Sequence, residues 1–266
     1  MKKGFLWAIA FLITLTAAVY QRMTGPTYPF RGKVQIGTSE VSCRLIRSAT
    51  NDKDAEVALK VPDAAVSGYL EYKRYKTDDP FILVEMVRDG EKLAAFLPKQ
   101  PMAGKLVYKV VLAGGGTETS LTGEEPIIIR FKAPVPMIVQ DPHILIMFIA
   151  MLFSTAAGLF ALGKKHNPRK LAIWTAVLLF IGGFVLGPLM QKYAFGELWT
   201  GIPFGTDLTD NKTLIAMVAW VVAVIAGRKG KAARGWVLAA SIILLAVYSI
   251  PHSLFGSELD YSKLPK

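Results

Sequence analysis

The chain has 266 residues, 52% of them hydrophobic, with a mean hydropathy of +0.38 and a formal net charge of +11. One cysteine, Cys43, excludes an internal disulfide and any multi-cysteine metal site. The charge invites a nucleic-acid partner, but its distribution argues against one: residues 25–140 hold 16 Lys and Arg against 14 Asp and Glu, and much of the surplus sits in two acid-free loops between apolar runs.

Those loops contain Lys164, Lys165, Arg169 and Lys170, and Arg228, Lys229, Lys231 and Arg234. Cations left between apolar spans on one face are the positive-inside pattern of a membrane protein. The composition therefore divides the chain into an N-terminal apolar segment, a soluble region over 25–138, and a membrane half over 143–251.

The N-terminal segment, residues 1–22, places Lys2 and Lys3 before the 17-residue apolar run Gly4–Tyr20. It reads as a transmembrane anchor or as a signal peptide. Thr16, Ala17 and Ala18 offer small residues for cleavage. The length of the run, followed by Tyr20 and Arg22 as interfacial residues, favours the anchor. Either reading exports residue 25 onward.

Between 25 and 138, alternating β-branched and polar residues predict strands at Lys33–Ile36, Glu40–Ile46, Glu56–Val61, Gly68–Lys76, Phe81–Val87, Lys92–Leu97, Leu106–Ala113 and Ile127–Lys132. Turn residues separate them. Arg88-Asp89-Gly90-Glu91 is the clearest hairpin, because Asp-Gly accepts the positive φ of a tight primed turn. Gly114-Gly115-Gly116 reads as a hairpin loop, since no helix follows it to bind phosphate. Cys43, on an alternating strand, reads as a buried inert thiol. Tyr69, Tyr72 and Tyr75 fit cross-strand packing. Short strands at this spacing predict a β-sandwich. The region has no histidine, no Gly-x-Ser-x-Gly, no His-Glu-x-x-His and no P-loop, so no catalytic motif is visible.

The stretch Leu97-Pro98 … Gly104-Lys105-Leu106-Val107-Tyr108-Lys109-Val110-Val111-Leu112 resembles the E–F corner of fibronectin type III and immunoglobulin-like domains. The resemblance covers residues 30–133 and departs from the pattern in lacking a tryptophan in its first half. It implies a binding or spacer module, with Tyr108 hydrogen-bonded back across the corner.

Pro134-Val135-Pro136 is a stiff linker into the membrane half. Four spans are predicted, 143–163, 171–190, 212–227 and 235–251. The third is short, and Lys212 at its start is expected to snorkel outward. Both basic loops fall on one side of these spans. All acids after residue 140 (Asp141, Glu197, Asp207, Asp210, Glu258 and Asp260) fall on the other. Gly183-x-x-x-Gly187, Ala156-Ala157-Gly158 and Ala172-x-x-x-Ala176 supply small faces for close helix contact. No span carries a charge in its interior, which lowers the case for ion transport.

The turn-rich insert 196–212 gathers with His143, His252 and the external tail 252–266 at one end of the spans. Thr209 or Asp210 is suited to cap the next helix, and Tyr193, Trp199 and Phe204 to an aromatic belt. The same residues offer ligands: His143 and His252 for a haem or transition metal, and Asp207, Asp210 and Glu197 beside them for a divalent ion.

The expectation is an α+β membrane protein: an anchor helix, an extracytoplasmic immunoglobulin-like β-sandwich, then a four-helix transmembrane bundle. Its leading role is a non-catalytic accessory or assembly subunit of a bacterial-type inner membrane. The lipid bilayer surrounds it, a membrane or periplasmic protein is its partner, and nucleic acid is not. The alternative is a redox or metal protein with its site at the outer face. A third is an enzyme acting on lipid head groups through Asp207, Asp210 or His252.

Overall fold

A computed structural model describes residues 2–37, 39–163, 165–227, 233–252, 254, 256 and 258–263. Lys164, Arg228, Lys229 and Lys231 of the predicted basic loops lie outside the described residues. The chain forms two compact units, Met1–Pro26 with Val135–Ser257, and Thr27–Pro134 with Glu258–Lys266. Residues 258–263, part of the tail expected over 252–266, thus group with the β unit.

The β unit holds eleven described strands: β1 (Phe30–Ile36), β2 (Ser39–Leu45), β3 (Ser48–Thr50), β4 (Ala55–Lys60), β5 (Ser67–Arg74), β6 (Ile82–Glu85), β7 (Val87–Asp89), β8 (Lys92–Leu97), β9 (Lys105–Gly114), β10 (Thr117–Ser120) and β11 (Ile127–Lys132). All eight predicted strands are present. Two short ones, β3 and β10, carry no apolar alternation and were not foreseen. The predicted strand Phe81–Val87 is two strands, because Met86 turns into the core while its N–H reaches Gly68 O.

Three sheets share one core. β1 and β2 form a hairpin; β4, β8 and β7 form a three-stranded sheet; β3-β11-β9-β5-β6 form the largest, with β10 added on β9. β9 is the longest strand and pairs with β5, β10 and β11. Its run of Leu106, Val107, Tyr108, Val110, Val111 and Leu112 is buried throughout, as a strand covered on both faces requires. The alternating inward residues Val41, Cys43 and Leu45, Val57 and Leu59, and Leu93, Ala95 and Leu97 join the same cluster. Cys43 lies inside it, and burial raises its thiol pKa, which suits an inert side chain.

Turn chemistry fixes two registers. Gly115 and Gly116, both with positive φ (59° and 78°), make the two-residue loop between β9 and β10, the φ pattern of a type I′ turn. Gly90 (φ 58°) opens the β7–β8 loop, but Glu91 is not in the left-handed region, so that turn follows the type II′ pattern.

Tyr108 is fully buried, and its Oη donates to Ile46 O at 2.7 Å, 62 residues earlier. The expected bond across a local corner is instead a tie from the central strand to the β2–β3 connection. Tyr108→Phe removes the donor from that half-buried carbonyl, so the expected loss is about 1 kcal/mol, read by denaturant unfolding of the chain in detergent. Loss within error of zero would show the carbonyl finding water.

The other unit is a helical bundle: α1 (Lys3–Thr24), α2 (Met137–Leu162), α3 (Arg169–Phe180), a π-helical turn (Ile181–Leu186), α4 (Gly187–Phe195), α5 (Leu208–Ala226) and α6 (Ala233–Ser249). α3, the π turn and α4 form one rod. Among the described residues four helices are long and apolar enough to cross a membrane, Lys3–Thr24, Met137–Leu162, Arg169–Phe195 and Leu208–Ala226; α6 is apolar but shorter.

α2 starts six residues before the predicted 143. Pro142 lies inside the helix, and Pro136 of the predicted linker stands at its N-cap. The rod likewise runs past the predicted 190 to Phe195, through Pro188.

Apolar burial does little to hold helices together in lipid, so small residues and polar contacts must do it. Ala157, Ala161, Ala172, Ala216, Ala223 and Ala240 are buried in the helix core around Trp220. At Gly158 an added Cβ would collide with Ser241 of α6. α1 joins through Trp7, edge-on to Phe153 at 5.6 Å, and through buried Thr14, whose hydroxyl lies 3.4 Å from that of Thr155.

Candidate functional site

The histidines and acids singled out in the sequence gather at the end of the bundle where α2 begins and α6 ends. The π turn organises one side of it. Its wide turn lets Gly187 N–H reach back to Gly182 O, and it precedes Pro188, which has no N–H to give. Such turns absorb prolines within apolar helices. Gly182 O also accepts from His143 Nδ1 at 2.9 Å. A carbonyl oxygen can only accept, so Nδ1 carries the proton and Nε2 is the ring's acceptor. A side chain at Gly182 would strike Met147 Sδ at 2.5 Å, so α2 and the π turn touch through glycine. Gly183 faces Thr213 of α5 in the same way, at 2.7 Å.

Lys212 faces this cluster from α5. The sequence places it as an outward-snorkelling residue; the structure corrects this. Lys212 is 1% exposed, and its Nζ donates to Ile250 O at 2.7 Å and lies 5.9 Å from the centre of the Tyr248 ring. Ile250 lies just beyond the last turn of α6, where carbonyls lack helical partners and carry the negative end of the dipole. The ammonium is drawn inward because those oxygens are there to receive it. Arg234 does the same at the other end of the bundle, donating to Phe160 O (3.0 Å) and Gly163 O at the end of α2 and to His166 O (2.9 Å) in the connection to α3. Each of these two cations is received by carbonyls at or just beyond the C-terminus of a neighbouring helix.

Tyr248 Oη lies 3.8 Å from Met147 Sδ, and the Tyr248 ring meets His252 edge-on at 6.3 Å. His143, Gly182, Met147, Tyr248, Lys212 and His252 therefore form one chain of contacts. The two histidines share a neighbourhood, as the sequence suggested, but His143 is engaged by a backbone carbonyl.

The acids serve the loop and helix start. Asp207, rather than Thr209 or Asp210, caps α5: its Oδ1 accepts from Thr209 N (2.7 Å) and Asp210 N (3.4 Å). Asp210 is buried, and its Oδ2 accepts from Thr200 N (2.6 Å) and lies 3.3 Å from Thr200 Oγ1. Asn211 Oδ1 accepts from Ile202 N (2.7 Å), and Gln191 Nε2 donates to Thr200 Oγ1 (2.6 Å). The loop is thus folded back onto the first turn of α5, with a cis Ile202–Pro203 bond at its tip. Trp199 stacks on Phe184 at 5.3 Å, while Tyr193, Phe204 and Glu197 are exposed.

Among the described residues no group of three or more His, Cys, Asp and Glu is placed to hold a metal ion. What the cluster offers chemically is hydrogen bonding to freed backbone carbonyls, which joins helices. Lys212, Tyr248 and Gly182 were not singled out as site residues from the sequence; the signal for Lys212 was an ionisable residue entering an apolar run.

The β unit has a different feature. β6 is the edge strand of the largest sheet, and Phe81, Ile82, Leu83, Val87 and Phe96 are exposed in and around it, from 44% at Phe81 to 73% at Val87. Both Ile82 and Leu83 are open although they point to opposite faces. Lys73 Nζ lies 5.4 Å from the Phe81 ring centre.

No protein-family model matches the chain, and no curated protein matches it in sequence.

Proposed function

We propose that this chain is a non-catalytic accessory or assembly subunit of a bacterial-type inner membrane, whose immunoglobulin-like β domain docks a protein partner on the outer side. The observation that carries this reading is the apolar edge at β6. An edge strand with an open main-chain ladder and large apolar side chains is a template for pairing with another chain. A partner strand added there gains main-chain hydrogen bonds, and the exposed side chains select it.

Three further features support the setting. The basic loops, predicted to stay in the cytoplasm, leave residues 27–134 outside. α1 packs into the bundle through Leu6, Ala10 and Thr14, which favours a retained anchor. The cations nearest the apolar spans, Lys212 and Arg234, are engaged by helix-end carbonyls, which suits a scaffold better than an ion path.

A photo-crosslinking residue at Leu83 in living cells tests the proposal. A discrete adduct with another protein is expected, diminished at least about tenfold by Ile82→Asp in the same chain, as loss of a central apolar anchor implies. A monodisperse chain with no adduct, from membranes where it is folded and abundant, would overturn it.

A further inference from the structure

The segment beyond α6 does not hang free: Glu258–Lys263 is bound on the β unit. The Glu258 carboxylate sits between two ammonium groups, with Oε2 2.6 Å from Lys105 Nζ and Oε1 2.7 Å from Lys76 Nζ. Leu259 N–H donates to Ala103 O at 3.2 Å. Tyr261 is buried, with its Oη 2.9 Å from Lys105 O and 3.0 Å from Gln100 Oε1. The Arg74 guanidinium lies 5.4 Å from the Tyr261 ring centre, held there by Asp79 at 2.6 and 2.9 Å. Arg74 and Thr77 pull the Asp79 carboxyl down to about 2, so this brace stays charged in mild acid. Gly104 leaves room for the phenol, since a Cβ there would lie 3.0 Å from Tyr261 Oη.

These contacts make a site of defined chemistry: two lysines for a carboxylate, a main-chain acceptor for a strand-like N–H, and a slot for a phenol three residues on. We propose that this face of the β unit is a peptide-binding site for a Glu-Leu-x-Tyr segment, and that the chain's own residues 258–261 occupy it in cis. It is separate from the β6 edge, and neither proposal depends on the other.

The site has a topological consequence. A segment bound to the β unit lies on that unit's side of the membrane, so the chain crosses an even number of times between Pro134 and Glu258. α2, the α3–α4 rod and α5 supply three crossings by length. α6 must supply the fourth, although its 17 residues span only about 26 Å against a hydrocarbon core of roughly 30 Å. A shortfall of this size is met by local thinning of the bilayer.

The pH response follows from Glu258. Burial works to raise its pKa, but hydrogen bonds and charge from Lys105 and Lys76 outweigh it and hold it below the ordinary 4.5. A carboxylate with a depressed folded value supports docking fully above about 4.5 and loses that support as pH falls through the folded value. Hydrogen exchange of the 258–263 segment, corrected for the intrinsic rate, should accelerate only below that point; a rate unchanged down to the folded value would show that the ion pairs contribute nothing.

The site itself is tested on the full chain in detergent. A zero-length carbodiimide should join Glu258 to Lys105 or Lys76, found as an isopeptide by mass spectrometry. A fluorescent peptide of residues 256–263 should bind a chain ending at Ser257 at least about tenfold more tightly than the intact chain, and Tyr261→Ala in the peptide should abolish the difference, as removal of an aromatic anchor does. In sealed vesicles, Lys53→Cys and Lys263→Cys, made separately, should both react with an impermeant maleimide or both stay silent, with buried Cys43 contributing nothing. Absence of the isopeptide, equal binding to both chains, or labelling of one cysteine without the other would overturn the proposal.

Discussion

Asp210→Ala is expected to lower the stability of the bundle by about 2 kcal/mol, because it strips a buried acceptor from the Thr200 N–H and hydroxyl at once. The effect should concentrate in residues 196–207, which Asp210 and Asn211 hold against α5. Limited proteolysis in detergent should therefore cut within that loop well before the helices unfold. Asp207→Ala is the control. It removes the cap of α5, which costs about 1 kcal/mol, and leaves the Asp210 grip on Thr200 in place. Asp210→Asn should retain much of the wild-type behaviour, since an amide oxygen can still accept from Thr200 N. If Asp210→Ala leaves the loop no more sensitive than Asp207→Ala does, the carboxylate is not what folds the loop back. The same variants bear on the site: were Asp207 and Asp210 metal ligands, either substitution would abolish a metal-dependent gain in melting temperature.

Gly158→Leu should cost about 3 kcal/mol or prevent folding, since the α2–α6 contact admits no Cβ. An added Cβ lies 2.7 Å from Ser241 Cβ and meets the Ser241 hydroxyl as well, the same hydroxyl that donates to Ser154 O at 2.9 Å. Overpacking of this kind costs about 1–3 kcal/mol before the lost hydrogen bond is added. The smaller change, Gly158→Ala, separates contact from helix propensity. Alanine in a helix is worth about 1 kcal/mol over glycine, so the substitution would stabilise a helix that met nothing there. Here it should destabilise. Adding Ser241→Gly should recover part of the loss, with a coupling of about 1 kcal/mol between the two sites. Additive effects in that cycle, measured by thermal unfolding in detergent, would mean that α2 and α6 do not meet at this pair.

Hydrophobic run length, turn chemistry and small-residue spacing are local properties, and they carried well. Helices cover each apolar segment, and the eight alternating stretches are strands. Gly158 and Gly183, each in a small-residue motif, sit at close helix contacts, where an added Cβ would come within 2.7 Å of Ser241 or Thr213; Gly187 has only ordinary contacts around it. Boundaries were less legible than the helices themselves, because apolar run length does not mark where the first and last turns extend into the interface. The span predicted from 143 begins at Met137, with Pro142 inside α2, and the span predicted to 190 continues through Pro188 to Phe195, the π turn before that proline absorbing its missing N–H.

The candidate site was legible only in part. His143 and His252 were placed at one level of the bundle from their positions at the ends of apolar runs, and they do share a neighbourhood. What each touches was not legible. The sequence by itself determined an α+β chain with helices fit for a membrane, strands closed by glycine turns, and where cations and acids lie along it, since these follow from side-chain hydropathy and backbone freedom residue by residue. Only the tertiary structure decided that Lys212 turns inward to a carbonyl 38 residues away, that Tyr108 ties to Ile46, and that Tyr261 returns to Lys105 across 156 residues. A hydrogen bond needs its partner within about 3 Å, and which distant oxygen comes that close is set by packing of the whole chain, which no local pattern encodes.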